Sequence, residues 1–338
     1  MFCAAVLLAP KVACADMLHI LDAEKAANSG NDRAAHVSGS GAAYNGVFKY
    51  SVTPENPWDF NFSYERSSAT FQWQVEVRVS NDPAAAGHAH REPPLKLFYY
   101  PDWPSKKRLS RLDGVVIRSP LLNQEQTFTV HMAPVKYATE VTARGDFVGY
   151  FDGQAKHSSL TYVLDIKVPG LMPLPRNDLL YKFSGVTPAH PDDHSGTSGT
   201  IVSLEHLAKT WKDAHPDAPL ISIGNISLPW GGAFDMSADW KAPDMRHSLG
   251  LAADILKDGF TLTQRTELMR FMCHSGFYVY QRNEGGEDLF HIIDKTEFRA
   301  LLAHGWPVSL PGKQDGSTNC CAAKPGSRDY LKCVNYKE

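Results

Sequence analysis

Apolar side chains recur at every second position through much of the first half of the chain. Phe71, Trp73, Val75, Val77 and Val79 alternate with polar residues. So do Phe128, Val130 and Met132, and later Leu160, Tyr162, Leu164, Ile166 and Val168. At this period a strand turns one face to a core and the other to water. Turn-forming clusters such as Asn81-Asp82-Pro83 punctuate the runs, and no strong amphipathic helix interrupts them. An all-β sandwich over residues 36–169 is predicted. The full length of 338 residues leaves room for a second domain.

The pattern changes after Pro169. Pro173, Pro175, Pro188 and Pro191, with a Ser/Gly/Thr cluster behind them, predict a semi-rigid linker over residues 170–199. Beyond it, Ile201, Leu204, Leu207, Ala208 and Trp211 recur at helical spacing, with Thr200 placed as an N-cap. Leu220 to Ile226 and Gly250 to Leu256 read as strands. Thr261 to His274 reads as a helix capped by Thr261, with Leu262, Leu268 and Met272 on one side. Phe277 to Gln281 and Leu289 to Ile293 read as a hairpin around Gly285-Gly286. A short helix over 296–303 follows. The expectation is an α+β domain over residues 200–310, a small antiparallel sheet with flanking helices, followed by a Cys-bearing tail over 311–338.

Charge and hydropathy narrow the function. The net charge is −3, and no basic run marks a nucleic-acid footprint, so nucleic acid is not an expected partner. No window of about 20 apolar residues occurs, so no integral membrane segment is expected. Phe2 to Ala9 is a short apolar run, and Ala13-Cys14-Ala15 is a small-residue segment before Asp16. Together they predict a secretory signal peptide over residues 1–15, although the usual basic n-region is missing. A helical patch at Met17 to Ala26 follows. With the signal removed, Cys273, Cys320, Cys321 and Cys333 remain. An even count in an exported chain suits two disulfides, with the adjacent Cys320 and Cys321 bonded to different partners. Buried free thiols are the alternative.

His247 and Asp254 stand seven positions apart around Gly250, and His291 is isolated in the apolar run Leu289-Phe290-His291-Ile292-Ile293. Two histidines and a carboxylate form a usual ligand set of a catalytic zinc site with one open position. Each histidine by itself also reads as an ordinary core residue. Asp254 weighs towards a cation, because an acid within Leu-Ala-Ala-Asp-Ile-Leu is costly to bury unpaired.

Four ordered segments add to this. They are Ser195-Gly196-Thr197, then His215-Pro216-Asp217-Ala218-Pro219, then the loop Ile226 to Phe234 with its Gly231-Gly232, then His247 to Ile255. In order and, apart from an apparent insertion near Met236 to Pro243, in spacing they resemble the penicillin-insensitive murein endopeptidases. These sit in the wider zinc peptidase group of D-Ala-D-Ala dipeptidases, lysostaphin-type enzymes and the hedgehog domain. The resemblance covers about a third of the chain, all of it C-terminal. It implies a Zn2+ site of His247, Asp254 and His291 and a peptidoglycan peptide substrate. It also implies metallopeptidase activity in a periplasmic or extracellular setting. Two positions depart from the family. The first histidine of its His-x-His element is Leu289 here, and a histidine often found three residues before the first ligand is Asp244. In the dipeptidase branch a glutamate lies three residues before the last ligand. That position is Asp288, which makes Asp288 the first candidate for general base and Glu287 the second, with solvated loop acids as the bland reading. A non-catalytic wall-binding protein and a D,D-carboxypeptidase or dipeptidase of the same group are the alternatives.

Other motifs weigh less. Ala189-His190-Pro191-Asp192-Asp193-His194 resembles the zinc motif of N-acetylglucosamine de-N-acetylases, but it lies in the Pro-rich segment and no His-x-x-His completes it. His88-Ala89-His90 reads as a solvated loop pair. Trp58, Phe60, Tyr99, Tyr100 and Trp103 read as packing residues before they read as a sugar-stacking surface. His274, Tyr278 and Tyr280, near the candidate ligands, also read as packing residues first.

Overall fold

The computed structural model describes residues 35–38, 45–52, 54, 58–65, 70–80, 83–90, 95–102, 105–108, 115–118, 126–151, 154–234, 245–284, 287–303, 310, 318–325, 327, 329–330 and 333. The predicted signal peptide and the helical patch at Met17 lie outside these residues. Among the described residues the chain divides into two compact units. One holds residues 35–86 and 90–168, and the other holds 87–89 and 169–333.

Among its described residues the first unit has ten strands: β1 (Ala35–Ser38), β2 (Asn45–Val52), β3 (Trp58–Glu65), β4 (Thr70–Val79), β5 (Leu97–Asp102), β6 (Ser105–Arg108), β7 (Val115–Arg118), β8 (Gln126–Met132), β9 (Thr139–Phe151) and β10 (Gln154–Ile166). They form two five-stranded sheets, ordered β1-β3-β8-β5-β6 and β2-β10-β9-β4-β7. The pairings β1–β3 and β2–β10 are parallel, and the other pairings are antiparallel. The alternation read from the sequence is the alternation of burial. Val75, Val77, Val130, Met132, Tyr162, Leu164 and Ile166 are all buried, while Arg78 between the valine positions is exposed. Phe60 of one sheet meets Tyr162 of the other edge-on, 5.8 Å between ring centroids.

The second unit mixes strands and helices. Its elements are β11 (Met172–Pro173), β12 (Tyr181–Phe183), β13 (Ser195–Gly196), α1 (Ser198–Ala214), β14 (Ile221–Ile223), α2 (Met245–Ser248), β15 (Ala252–Leu256), α3 (Leu262–His274), β16 (Phe277–Glu284), β17 (Glu287–Asp294), α4 (Lys295–Ala303) and β18 (Thr318–Asn319). Its main sheet runs β12-β14-β15-β17-β16-β18. Ile221, Ile223, Ala253, Ile255, Phe277, Val279, Phe290 and Ile292 form one face. They pack on Leu204, Leu207 and Trp211 of α1 and on Leu268, Met269 and Met272 of α3. Strand alternation sends Asp254 and His291 to the opposite face.

Several expectations are corrected. Residues 170–199 are not a spacer: β12 pairs with β14, β11 pairs with β13, and Leu174, Tyr181, His190 and Asp193 are buried. Proline density signals a stiff backbone, but stiffness does not forbid packing where apolar residues have a core to enter. The N-cap of α1 is Thr197 rather than Thr200. Thr197 Oγ1 accepts from the Thr200 N–H at 3.2 Å, one turn before the predicted start. Strand β14 ends at Ile223, because the N–H groups of Ile226 and Ser227 donate to the Asp193 carbonyl instead of a neighbouring strand. Leu262 is 48% exposed, and Met269 takes its expected place beside Leu268 and Met272. The Thr261 cap stands as predicted, completed into a capping box by Gln264. The hairpin strands also pair as predicted, with Glu284 opposite Glu287. Cys273 bonds Cys321 and Cys320 bonds Cys333, so the two adjacent cysteines do take different partners.

Candidate metal centre

The three predicted ligands come from different elements of the second unit and converge. His247 lies in the single turn of α2. Gly250 then turns the chain at φ +70° into β15. A Cβ at Gly250 would stand 2.5 Å from Leu171 Cδ2 and 3.0 Å from Gly196 Cα. Only glycine combines that backbone with that approach. Asp254 follows four residues on, in the middle of β15, directly opposite His291 on β17. Tyr280 of β16 continues the same row.

Two other sequence segments, at residues 195–197 and 226–234, reach the chain that carries these ligands. The Thr197 N–H donates to the Gly250 carbonyl at 3.0 Å, and the Gly232 N–H donates to the Ser248 carbonyl at 2.9 Å. His215 is a structural residue at the end of α1. It stacks on Trp211 at 4.0 Å and reaches Glu267 at 3.2 Å.

The cluster could hold a metal ion. Asp254 Oδ1 lies 2.9 Å from His291 Nδ1, Asp254 Oδ2 lies 3.5 Å from His247 Nε2, and His247 Nε2 lies 3.2 Å from His291 Nδ1. His247 Nε2, His291 Nδ1 and the two Asp254 carboxylate oxygens are close enough for the three side chains to hold one metal ion, and imidazole and carboxylate are both metal-ligand types.

All three side chains are buried, His291 at 0%, Asp254 at 3% and His247 at 5% exposure. Burial pushes the Asp254 carboxyl upward. The charges and hydrogen bonds of His247 and His291 more than offset this and hold it well below the usual carboxylate range. Asp254 therefore remains an ionised donor. His247 Nδ1 donates to the Ile226 carbonyl at 2.9 Å, which fixes the tautomer and leaves Nε2 to face the cluster.

The other predicted residues are distributed differently. Leu289 is buried two residues before His291 and pairs with Leu256. Asp288 is not brought to the cluster. Its carboxylate accepts from Lys257 Nζ at 2.9 Å, Arg265 at 3.0 Å and the Gln281 amide at 2.6 Å. Its odd spacing from His291 turns it to the opposite side of β17. The side chain of Glu287, and Asp244 altogether, lie outside the described residues. His88 is fully buried, not solvated, with its ring 5.2 Å from that of His190. Trp58 and Phe60 are buried. Tyr280 is buried and Tyr278 meets Phe298 edge-on at 6.0 Å. Sequence reasoning missed two features. One is the Ile226 carbonyl that orients His247, because a backbone group leaves no mark in a sequence. The other is the Asp193–His194 pair, whose signal was the motif set aside above.

No protein-family model and no curated protein matches the chain. Among solved structures, a chain from the structure of PbICP-C in complex with falcipain-2 matches at 5% identity and a TM-score of 0.21, over 39% of this chain and 98% of that one. The ASH/PapD-like domain of human CEP192 matches at 8% and 0.18, over 37% and 82%. The N-terminal domain of PorA matches at 8% and 0.19, over 36% and 87%. Likenesses this slight carry no argument about fold or function.

Proposed function

We propose that this chain is a zinc-dependent endopeptidase that cleaves peptide cross-links of bacterial peptidoglycan, in the periplasm or outside the cell. One observation carries the reading: the buried donor atoms of His247, Asp254 and His291 converge at 2.9–3.5 Å. The two disulfides fit an oxidising compartment. When bound, a zinc ion supplies Lewis acidity, polarising an amide carbonyl and making water a stronger acid.

The chain's own part is to hold that donor set rigid. Asp254 and His291 are fixed by strand pairing, and His247 by its bond to the Ile226 carbonyl. Peptide cleavage also needs a group that takes a proton from water and delivers one to the leaving amine. Asp288 is committed to Lys257 and Arg265, so the proposed base becomes Glu287. It stands four residues before His291, the even spacing that places two strand positions on one face.

The test pairs metal content with product analysis on purified cross-linked muropeptides. Wild-type protein is expected to carry stoichiometric zinc and to release new peptide products seen by mass spectrometry. His247→Ala should lose both. Glu287→Gln should keep the zinc and lose the products. Zinc unchanged in His247→Ala would remove the site assignment, and cleavage surviving Glu287→Gln would remove the base. A second reading is favoured by the buried Leu289 and the engaged Asp288: a wall-binding protein that holds the metal without turnover. Zinc-loaded wild type that binds muropeptides and releases no product would select it.

A further inference from the structure

Asp193 and His194 are buried, at 0% and 7% exposure, and neither belongs to the ligand cluster. His194 Nδ1 lies 2.6 Å from Asp193 Oδ1, and its Nε2 lies 3.0 Å from the Ile223 carbonyl oxygen. The ring also stacks on Phe183, with centroids 4.1 Å apart. The second Asp193 oxygen accepts from the Asn225 amide at 2.8 Å when that amide turns its nitrogen towards the acid. The Asp193 backbone carbonyl accepts the N–H groups of Ile226 at 2.8 Å and Ser227 at 3.1 Å. One residue and its neighbour thus hold the loop from Ile223 to Ser227 by side chain and backbone together.

That loop touches two of the three ligands. The Ile226 carbonyl accepts from His247 Nδ1. The Asn225 carbonyl accepts the Asp254 N–H at 3.1 Å, and the Gly224 N–H donates to the Asp254 carbonyl at 2.6 Å. The approach is close enough that a Cβ at Gly224 would stand 3.2 Å from that same oxygen. A shift of this loop would turn the His247 ring and displace the backbone of Asp254 together.

We propose that Asp193, acting with His194, is a positioning residue for the metal centre: it fixes the loop whose carbonyls orient His247 and seat Asp254. The pair's chemistry supports this role over simple filling. A fully buried carboxylate is costly unless several donors converge on it. The groups nearest this carboxylate are His194 Nδ1, an ion-pair contact at 2.6 Å, and the turned Asn225 amide at 2.8 Å, and each belongs to, or leads to, the loop beside the ligands. Groups one layer out from a metal commonly contribute ten- to hundredfold in affinity.

The inference rests on the metal-centre reading, and the test separates the two. Zinc affinity of the full chain is measured by competition with a chromophoric chelator, and the cobalt-substituted protein is examined by visible absorption. Wild type that binds neither metal overturns the metal centre and this inference with it. Asp193→Ala is expected to weaken zinc roughly ten- to hundredfold and to alter the cobalt spectrum. Asp193→Asn, which keeps the shape and one acceptor, should fall between wild type and alanine. If the alanine variant does not fold, Asp193→Asn carries the comparison alone, with weaker zinc binding expected. A folded variant with wild-type affinity and an unchanged cobalt spectrum overturns the proposal even if its stability has dropped. A purely structural role lowers the unfolding free energy without moving the coordination spectrum.

Discussion

Lys257 carries its ammonium where solvent does not reach: its side chain is fully buried. Nζ donates to Asp288 Oδ1, to Gln281 Oε1 and to the Cys333 carbonyl, and lies 4.1 Å over the Phe290 ring. Burial pushes its pKa down to about 8 from 10.5. The hydrogen bond and charge of Asp288 oppose this shift, and Arg265 adds to it. The folded-state value lies below the unfolded one, so folding disfavours the charged form. This cost is absent above the unfolded value, grows as pH falls, and is complete below about 8. A depression of this size corresponds to about 3 kcal/mol. Lys257→Met removes the titration. Urea unfolding at about pH 7 and about pH 10 should therefore show the wild type gaining roughly 2–3 kcal/mol on the variant at the higher pH. A gap that does not move with pH would show that Lys257 meets no such cost. The same contacts explain why Asp288, an apparent base by its place in the sequence, is a partner for buried cations.

Among the elements, the turn between α2 and β15 sets the site. His247 and Asp254 are seven residues apart, on a helical turn and on a strand, and Gly250 makes the corner between them. The carbonyl of that corner also accepts the Thr197 N–H that precedes α1. Gly250→Ala would put a Cβ against Leu171 and Gly196 on a left-handed backbone. The expected loss is at least about 2 kcal/mol of unfolding free energy, with weaker zinc binding alongside it. Denaturant unfolding and metal competition on the same variant check both. An alanine variant as stable as wild type would show that the corner has a second backbone solution. The hairpin β16–β17 was legible because period two and a Gly-Gly turn are local signals. The short β14 was not, because its end depends on Asp193, some thirty residues away, drawing the next N–H groups out of the sheet.

For the molecule as a whole, the disulfides decide how the C-terminal tail is held. Strand β18 pairs with β16 beside Tyr280 and Gln281, and both bridges close on the segment around it. Cys273–Cys321 spans 48 residues and Cys320–Cys333 spans 13. Loop-closure entropy makes these worth about 4 and about 3 kcal/mol. Replacing Cys273 and Cys321 by alanine should therefore lower the unfolding free energy more than replacing Cys320 and Cys333. Denaturation of the two double variants gives the order, and the reverse order would mean that local packing rather than chain closure dominates. No helix among the described residues is long and apolar enough to cross a membrane.

The sequence alone determined whatever depends on local period and local chemistry. It marked the alternating strands of the first unit, the capped helix α3, the hairpin, and three residue types suited to one cation. It also showed that Cys320 and Cys321 need separate partners. Tertiary structure alone decided which groups meet. The Pro-rich stretch became part of the second unit because Leu174 and Tyr181 found a core there. Asp288 turned away to Lys257 and Arg265, and Asp193 reached the loop that orients His247. A sequence records which side chains are available, whereas hydrogen bonds and ion pairs depend on distances that only the folded chain establishes.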